Sequence, residues 1–286
     1  MAKTDFEIVS ITAADGISQF SVVPKLGGKG ISLIMPYKGS PRELLYLPDD
    51  YWELADKAWK GGWPFCFPVC GRSIDKTLPM HGFAAQMHWQ VLEKSISSLT
   101  LQLTDTADTR KIYPYAFRLS LRYDIKHGQL TCLQTCENLS DEPMPYFAGF
   151  HPYFLTPLQD KENIQVNFKS VGRKQYNNEL SDIVGDLPAL TLPQSITNPV
   201  LNEQLSLVME NTTSLVYPDN MEIVMEVKGL ERENMFPYVQ MYTQATKSFF
   251  CIEPWMNFPN ALNHKGEVLS LASKAKEHAL LTLRLY

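Results

Sequence analysis

Two residues in this chain have the chemistry of a proton donor and a proton acceptor, in surroundings that admit few polar groups. His151 lies in Gly149-Phe150-His151-Pro152-Tyr153-Phe154, and Glu253 lies in Phe249-Phe250-Cys251-Ile252-Glu253-Pro254-Trp255. Charged side chains are seldom buried without a partner. A Glu framed by four apolar residues on one side and Pro-Trp on the other is expected to be at least half buried. An imidazole and a carboxylate drawn from distant segments suit a general acid and a general base lining one pocket.

Other segments add candidates. Gly61-Gly62-Trp63-Pro64-Phe65-Cys66-Phe67-Pro68-Val69-Cys70-Gly71-Arg72 cannot be a regular central strand, because two prolines donate no ladder bond. It reads as a pocket wall ending in one cation, Arg72. Leu78-Pro79-Met80-His81-Gly82-Phe83 sets a His beside a Gly at a turn, where backbone approaches a ligand closely. His88 and His127 read as surface or turn residues. Cys66 with Cys70, and Cys132 with Cys136, have a spacing found in zinc sites, yet both pairs sit in apolar, extended segments and read as buried thiols. No metal site is expected. There is no phosphate-binding Gly-rich loop and no Gly-x-Ser-x-Gly elbow, so no nucleotide cofactor and no serine hydrolase is expected.

The elements that hold these groups read as strands. Residues 99–104 alternate apolar and polar with period two, and residues 118–125 do the same. Lys126-His127-Gly128-Gln129 reads as a turn, and residues 130–136 return as the partner strand of a hairpin. Residues 222–227 and 279–286 are further strands. A short helix is expected only over residues 51–59, and no helix is long enough for βαβ units. Nineteen prolines and fifteen glycines fit many short strands joined by turns. The expectation is an all-β, large antiparallel sandwich with few short helices, formed as one domain from residues 1–286.

Bulk properties narrow the partners. The chain has 286 residues, 44% hydrophobic and 20% charged, with a net charge of −5. That is an ordinary globular composition, and its acidity argues against nucleic acid or an anionic membrane. No stretch approaches the ~18 continuous apolar residues of a membrane span. Five cysteines, an odd number, and no export signal point to reduced thiols and a cytoplasmic location.

The motifs together resemble the aldose 1-epimerase, or mutarotase, family. The matching pieces are the 61–72 loop, His81-Gly82-Phe83, Asn138-Leu139-Ser140 running on to the His151 segment, and Cys251-Ile252-Glu253-Pro254-Trp255 followed by Phe258-Pro259-Asn260-Ala261-Leu262-Asn263. Their order and spacing match from about residue 20 to the C-terminus. The resemblance implies a galactose-mutarotase-like β-supersandwich and a small sugar as substrate. It implies His151 as general acid, Glu253 as general base, Arg72 and His81 on sugar hydroxyls, and Tyr153 and Trp255 as pocket walls.

Two departures from the family pattern bear on the substrate. The family's hydroxyl-binding Asp aligns to Ile196-Thr197-Asn198-Pro199, where Asn198 is the nearest candidate and Asn202 and Glu203 are further stand-ins. The hexose-6-phosphate branch carries two arginines where this chain has Lys60 and Ala85. Arg grips phosphate with a bidentate fork that neither residue reproduces. A neutral aldose is therefore expected, with glucose 6-phosphate as the alternative. A non-catalytic sugar-binding sandwich would need no acid and base pair, and a glycoside hydrolase would need two flanking carboxylates.

Overall fold

The computed structural model of the protein describes residues 6–53, 60–72, 74 and 76–286. Antiparallel pairing organises them into sheets of fifteen, four and two strands. The small pair is Met144–Pro145 with Ser270–Leu271. The sheet of four runs Val9–Thr12, Gln19–Val23, Lys29–Tyr37, Ser40–Glu43. The large sheet begins at Phe65–Cys66 and passes through Gly149–Phe150, Phe249–Trp255, Tyr238–Thr243 and Gln204–Val216. It continues through Glu222–Gly229, Lys276–Leu285, Gln129–Asn138, Phe117–Lys126 and Ser98–Thr104 to Gln90–Lys94. The one α-helix among the described residues is Thr109–Ile112. All-β architecture is thus what the alternating segments produce.

The hairpin shows how pattern becomes structure. Strands Phe117–Lys126 and Gln129–Asn138 enclose a two-residue loop whose Gly128 takes φ 60°. A positive φ at the loop's second position suits the tight turns that match strand twist. Register then sets Leu119 against Cys136, Leu121 against Gln134 and Tyr123 against Cys132. All six are buried, while Arg118, Arg122 and Lys126 on the other face are exposed. Cys132 and Cys136 are buried free thiols, as are Cys66, Cys70 and Cys251. The expected helix at 51–59 falls mainly outside the described residues, and Tyr51–Glu53 form a turn.

The sheet of four closes over the large one through aromatic rings. Phe20 meets Tyr123 of the large sheet at 4.8 Å between centroids and Trp63 edge-on at 6.2 Å. Ring pairs of this kind add about 0.5–1.5 kcal/mol beyond the area they bury. The strand Phe249–Trp255 is buried at all seven positions, with Phe250, Ile252 and Trp255 in the main core and Phe249 and Cys251 in a separate cluster with Tyr153.

Beside His81 the chain passes close to the backbone of Phe67. A Cβ placed on Gly82, at φ 71°, would lie 2.0 Å from the carbonyl oxygen of Phe67. Gly16 has almost the same φ, 70°, with open space around it. Gly16→Ala is expected to cost about 1–2 kcal/mol, from left-handed backbone alone. Gly82→Ala is expected to cost a further ~1–3 kcal/mol or more through the clash. Urea unfolding of both variants checks this, and equal losses would refute it.

Candidate functional site

Glu253 and His151 are brought together by strand register. Gly149 pairs with Trp255, and Tyr153 pairs with Cys251, both antiparallel. Between those pairs His151 falls opposite Glu253. Pro152 has no N–H, so the ladder with the Glu253 strand breaks there, while on the other edge the His151 N–H donates to the Pro64 carbonyl at 3.1 Å. The side chains meet, with His151 Nε2 3.2 Å from Glu253 Oε2. Side-chain exposures of 3% and 1% show that water contributes almost nothing to holding either charge.

Period two along Phe249–Trp255 puts Cys251 and Trp255 on the same face as Glu253. On the facing segment the Tyr153 ring lies parallel to the His151 imidazole, at 4.8 Å and 6°. The Tyr153 hydroxyl is buried with no hydrogen-bond partner among the described residues. His81 stands edge-on to both His151, at 5.1 Å, and Trp255, at 5.6 Å.

His81 is held in one tautomer by the backbone. Its φ is 61°, its N–H donates to the Gly71 carbonyl at 2.8 Å, and the Gly71 N–H donates to its Nδ1 at 3.2 Å. An Nδ1 that accepts leaves the ring proton on Nε2, which makes that atom a donor. Ligand-type atoms of His81, His151 and Glu253 lie within 4.8 Å of one another, a two-His, one-carboxylate set. Metal-bound His normally donates its second ring N–H. His81 accepts there instead, so this donor set does not fit a resident metal.

These groups form the floor of a cleft with an empty volume near 630 Å³. Arg72 lies on its wall, with Nη1 donating to the Glu179 carbonyl at 3.3 Å and Nε 3.3 Å from the Met80 sulfur. Lys60 reaches the mouth, where its Nζ is 3.5 Å from the Tyr242 hydroxyl. The cleft therefore gathers Arg72, His81, His151, Tyr153, Glu253 and Trp255, all singled out from the sequence.

Asn198 is a correction. It does not line the cleft. Its Oδ1 accepts from the Val200 N–H at 3.1 Å, and its Nδ2 donates to Gln194 at 2.7 Å, so it caps the turn at Pro199–Leu201. Asn before Pro is itself a helix-start signal. Glu203 enters the cleft instead. Gln240 and Tyr176, which the sequence reading missed, hold it in place. Tyr176 OH donates to Gln240 Oε1 at 2.8 Å, and Gln240 Nε2 donates to Glu203 Oε2 at 3.5 Å. A Gln within the buried run Tyr238-Val239-Gln240-Met241 was the available signal.

Burial sets the protonation of the central pair. It pushes the Glu253 carboxyl well above its ordinary value, with the Cys66 thiol and the Glu203 charge adding to the shift and Trp255 opposing it. Burial also pushes His151 well below its ordinary value, and neighbouring His81 adds to that. The sequence reading expected a Glu253 carboxylate beside a His151 imidazolium. Burial instead favours the neutral carboxyl beside the neutral imidazole. The two arrangements differ only by transfer of one proton across the contact.

Comparison with known proteins agrees with the geometry. The family model for aldose 1-epimerase matches residues 11–279. The chain is 25% identical over 247 residues to the chromosomal protein LacX of Lactococcus lactis subsp. lactis, covering 76% of this chain and 81% of that one. It is 26% identical over 153 residues to the Escherichia coli K12 protein named "Putative glucose-6-phosphate 1-epimerase", covering 48% of this chain and 52% of that one. The solved structure of a galactose mutarotase-like protein from Clostridium acetobutylicum superposes with a TM-score of 0.85 at 17% identity, over 100% of this chain and 97% of that one. The fold is accordingly the galactose-mutarotase-like one, and the chain belongs to the aldose 1-epimerase family.

Proposed function

We propose that this protein interconverts the α and β anomers of a neutral aldose, with His151 and Glu253 as its acid and base. The observation that carries the reading is their 3.2 Å contact on the floor of the cleft. Ring opening removes a proton from the anomeric hydroxyl and delivers one to the ring oxygen. Both oxygens are bonded to the same carbon, so the acid and the base must converge on nearly one point. A glycosidase pair is set further apart, at about 5 Å or more, to leave room for the bond or a water.

The reaction needs one mobile proton, and the pair holds one. Glu253 as carboxylate takes the anomeric proton while His151 as imidazolium protonates the ring oxygen. The C1–C2 bond of the open aldehyde rotates, the ring recloses, and the two groups exchange roles. The polar substrate replaces the solvation that burial removes, which favours the charged arrangement over the neutral one of the empty cleft. His81 Nε2–H and Arg72 donate to sugar hydroxyls, and Trp255 and Tyr153 pack against the pyranose. The reading takes residues 1–286 as one domain. No helix among the described residues is long and apolar enough to cross a membrane.

Lys60 and Ala85 favour a neutral sugar over its 6-phosphate. Lys60 is directed at the Tyr242 hydroxyl, and Ala85 is buried with no charge to offer. The name of the Escherichia coli relative supports the phosphorylated alternative.

His151→Ala and Glu253→Gln are each expected to slow anomer exchange by about 10²–10⁴-fold while the fold persists. Saturation-transfer NMR between anomeric protons reads this directly, and near-wild-type exchange in either variant would remove that residue from the mechanism.

Stability gives a second test. A carboxyl whose folded pKa is raised contributes stability that is fully present below its ordinary value of 4.5 and is lost as pH rises through the folded value. Glu253→Gln removes this dependence. Its stability relative to wild type is expected to grow from pH 5 upward, by at most about 1.4 kcal/mol per pH unit. His151 has the opposite sign and loses stability as pH falls below 6.5, so the comparison is read above that pH. A difference between the two proteins that stays flat from pH 6.5 to 8 would contradict a buried, raised Glu253.

A further inference from the structure

The cleft mouth carries two cations and one anion whose arrangement the acid and base chemistry does not use. Lys60 and Arg72 line it together with Glu203. Glu203 is a half-buried carboxylate in left-handed backbone, φ 52°, a conformation rare outside Gly, Asn and Asp. It sits where the turn Pro199–Leu201 feeds the strand Gln204–Val216. The Tyr176–Gln240 relay fixes its carboxylate. Gln240 cannot turn its amide to escape this role, because Nε2 also donates to the Met241 carbonyl at 3.2 Å.

We propose that Glu203 is a specificity-determining residue that restricts the cleft to uncharged sugars by neutralising Lys60 and Arg72. This rests on the mutarotase reading above. Left alone, two cations at the mouth of a half-enclosed cleft would attract a phosphomonoester, which carries close to two negative charges near neutral pH. A carboxylate lining the same cleft offsets their charge and places a like charge near any entering anion. Repulsion of this kind excludes the wrong ligand more effectively than added contacts favour the right one. Both cations act on Glu203 from close enough to oppose the desolvation that raises its pKa. Its own field reaches Glu253, which places it in the same cleft as the chemistry. Any effect of its removal on Glu253 is common to all substrates and cancels in a ratio of two.

The test compares wild type, Glu203→Gln and the double variant Glu203→Gln with Lys60→Ala. Anomer exchange of glucose and glucose 6-phosphate is measured for each, and binding of inorganic phosphate is titrated by calorimetry. Glu203→Gln is expected to raise the ratio of kcat/KM for the 6-phosphate over the neutral sugar at least tenfold. It is expected to tighten phosphate binding by a similar factor, and the Lys60 change is expected to reverse most of both gains. An unchanged ratio with unchanged phosphate binding overturns the proposal, as does a parallel loss on both sugars. If no protein exchanges anomers at all, the mutarotase reading fails. Phosphate affinity then decides the charge argument alone, standing if Glu203→Gln tightens it and falling if it does not.

Discussion

Everything at the site depends on the antiparallel register between the strand Phe249–Trp255 and the two short strands on either side of His151 and Pro152. That register pairs Gly149 with Trp255 and Tyr153 with Cys251, and the Met256 N–H donates to the Ala148 carbonyl at 3.0 Å beside it. A slip of one residue would turn Glu253 to the opposite face and separate it from the imidazole. Burial on both faces makes such a slip costly, since it would move each apolar side chain of the strand at once. His151 and Glu253 are thus placed by the backbone of the core, and their side chains need little rotameric freedom to meet.

Burial also acts on the contact between His151 and Glu253. Desolvation drives Glu253 and His151 toward their neutral forms from opposite directions. A solvated pair would settle as carboxylate and imidazolium, strongly hydrated on both sides. The dry floor leaves the proton's position to be decided by what occupies the cleft.

His151 and Glu253 were legible because a polar residue inside an apolar run is informative by itself. The hairpin of residues 117–138 was legible because strict alternation and a Gly turn leave one solution. Glu203 was weighted too low because it follows Thr197-Asn198-Pro199 and Asn202, a polar stretch in which no residue stands out. Only the turn geometry decides which of these side chains enters the cleft. Asn198 was misread because family alignment outweighed a local fact, that Asn before Pro caps a turn. Gln240 was missed although it is a polar residue in a buried strand, the same signal that revealed Glu253. The tautomer of His81 depends on the Gly71 N–H, a backbone atom ten residues away that no side-chain pattern encodes.

The seven consecutive buried positions of Phe249–Trp255 divide the molecule in another way. Chemistry sits on an inner strand, hydrogen-bonded along both edges, while Lys60, Arg72 and Glu203 stand on loops and strand ends around it. Loops accept substitution far more readily than such a strand. Under the proposed reading, substitutions at these three peripheral side chains change which sugar is admitted while the buried contact of His151 with Glu253 stays in place.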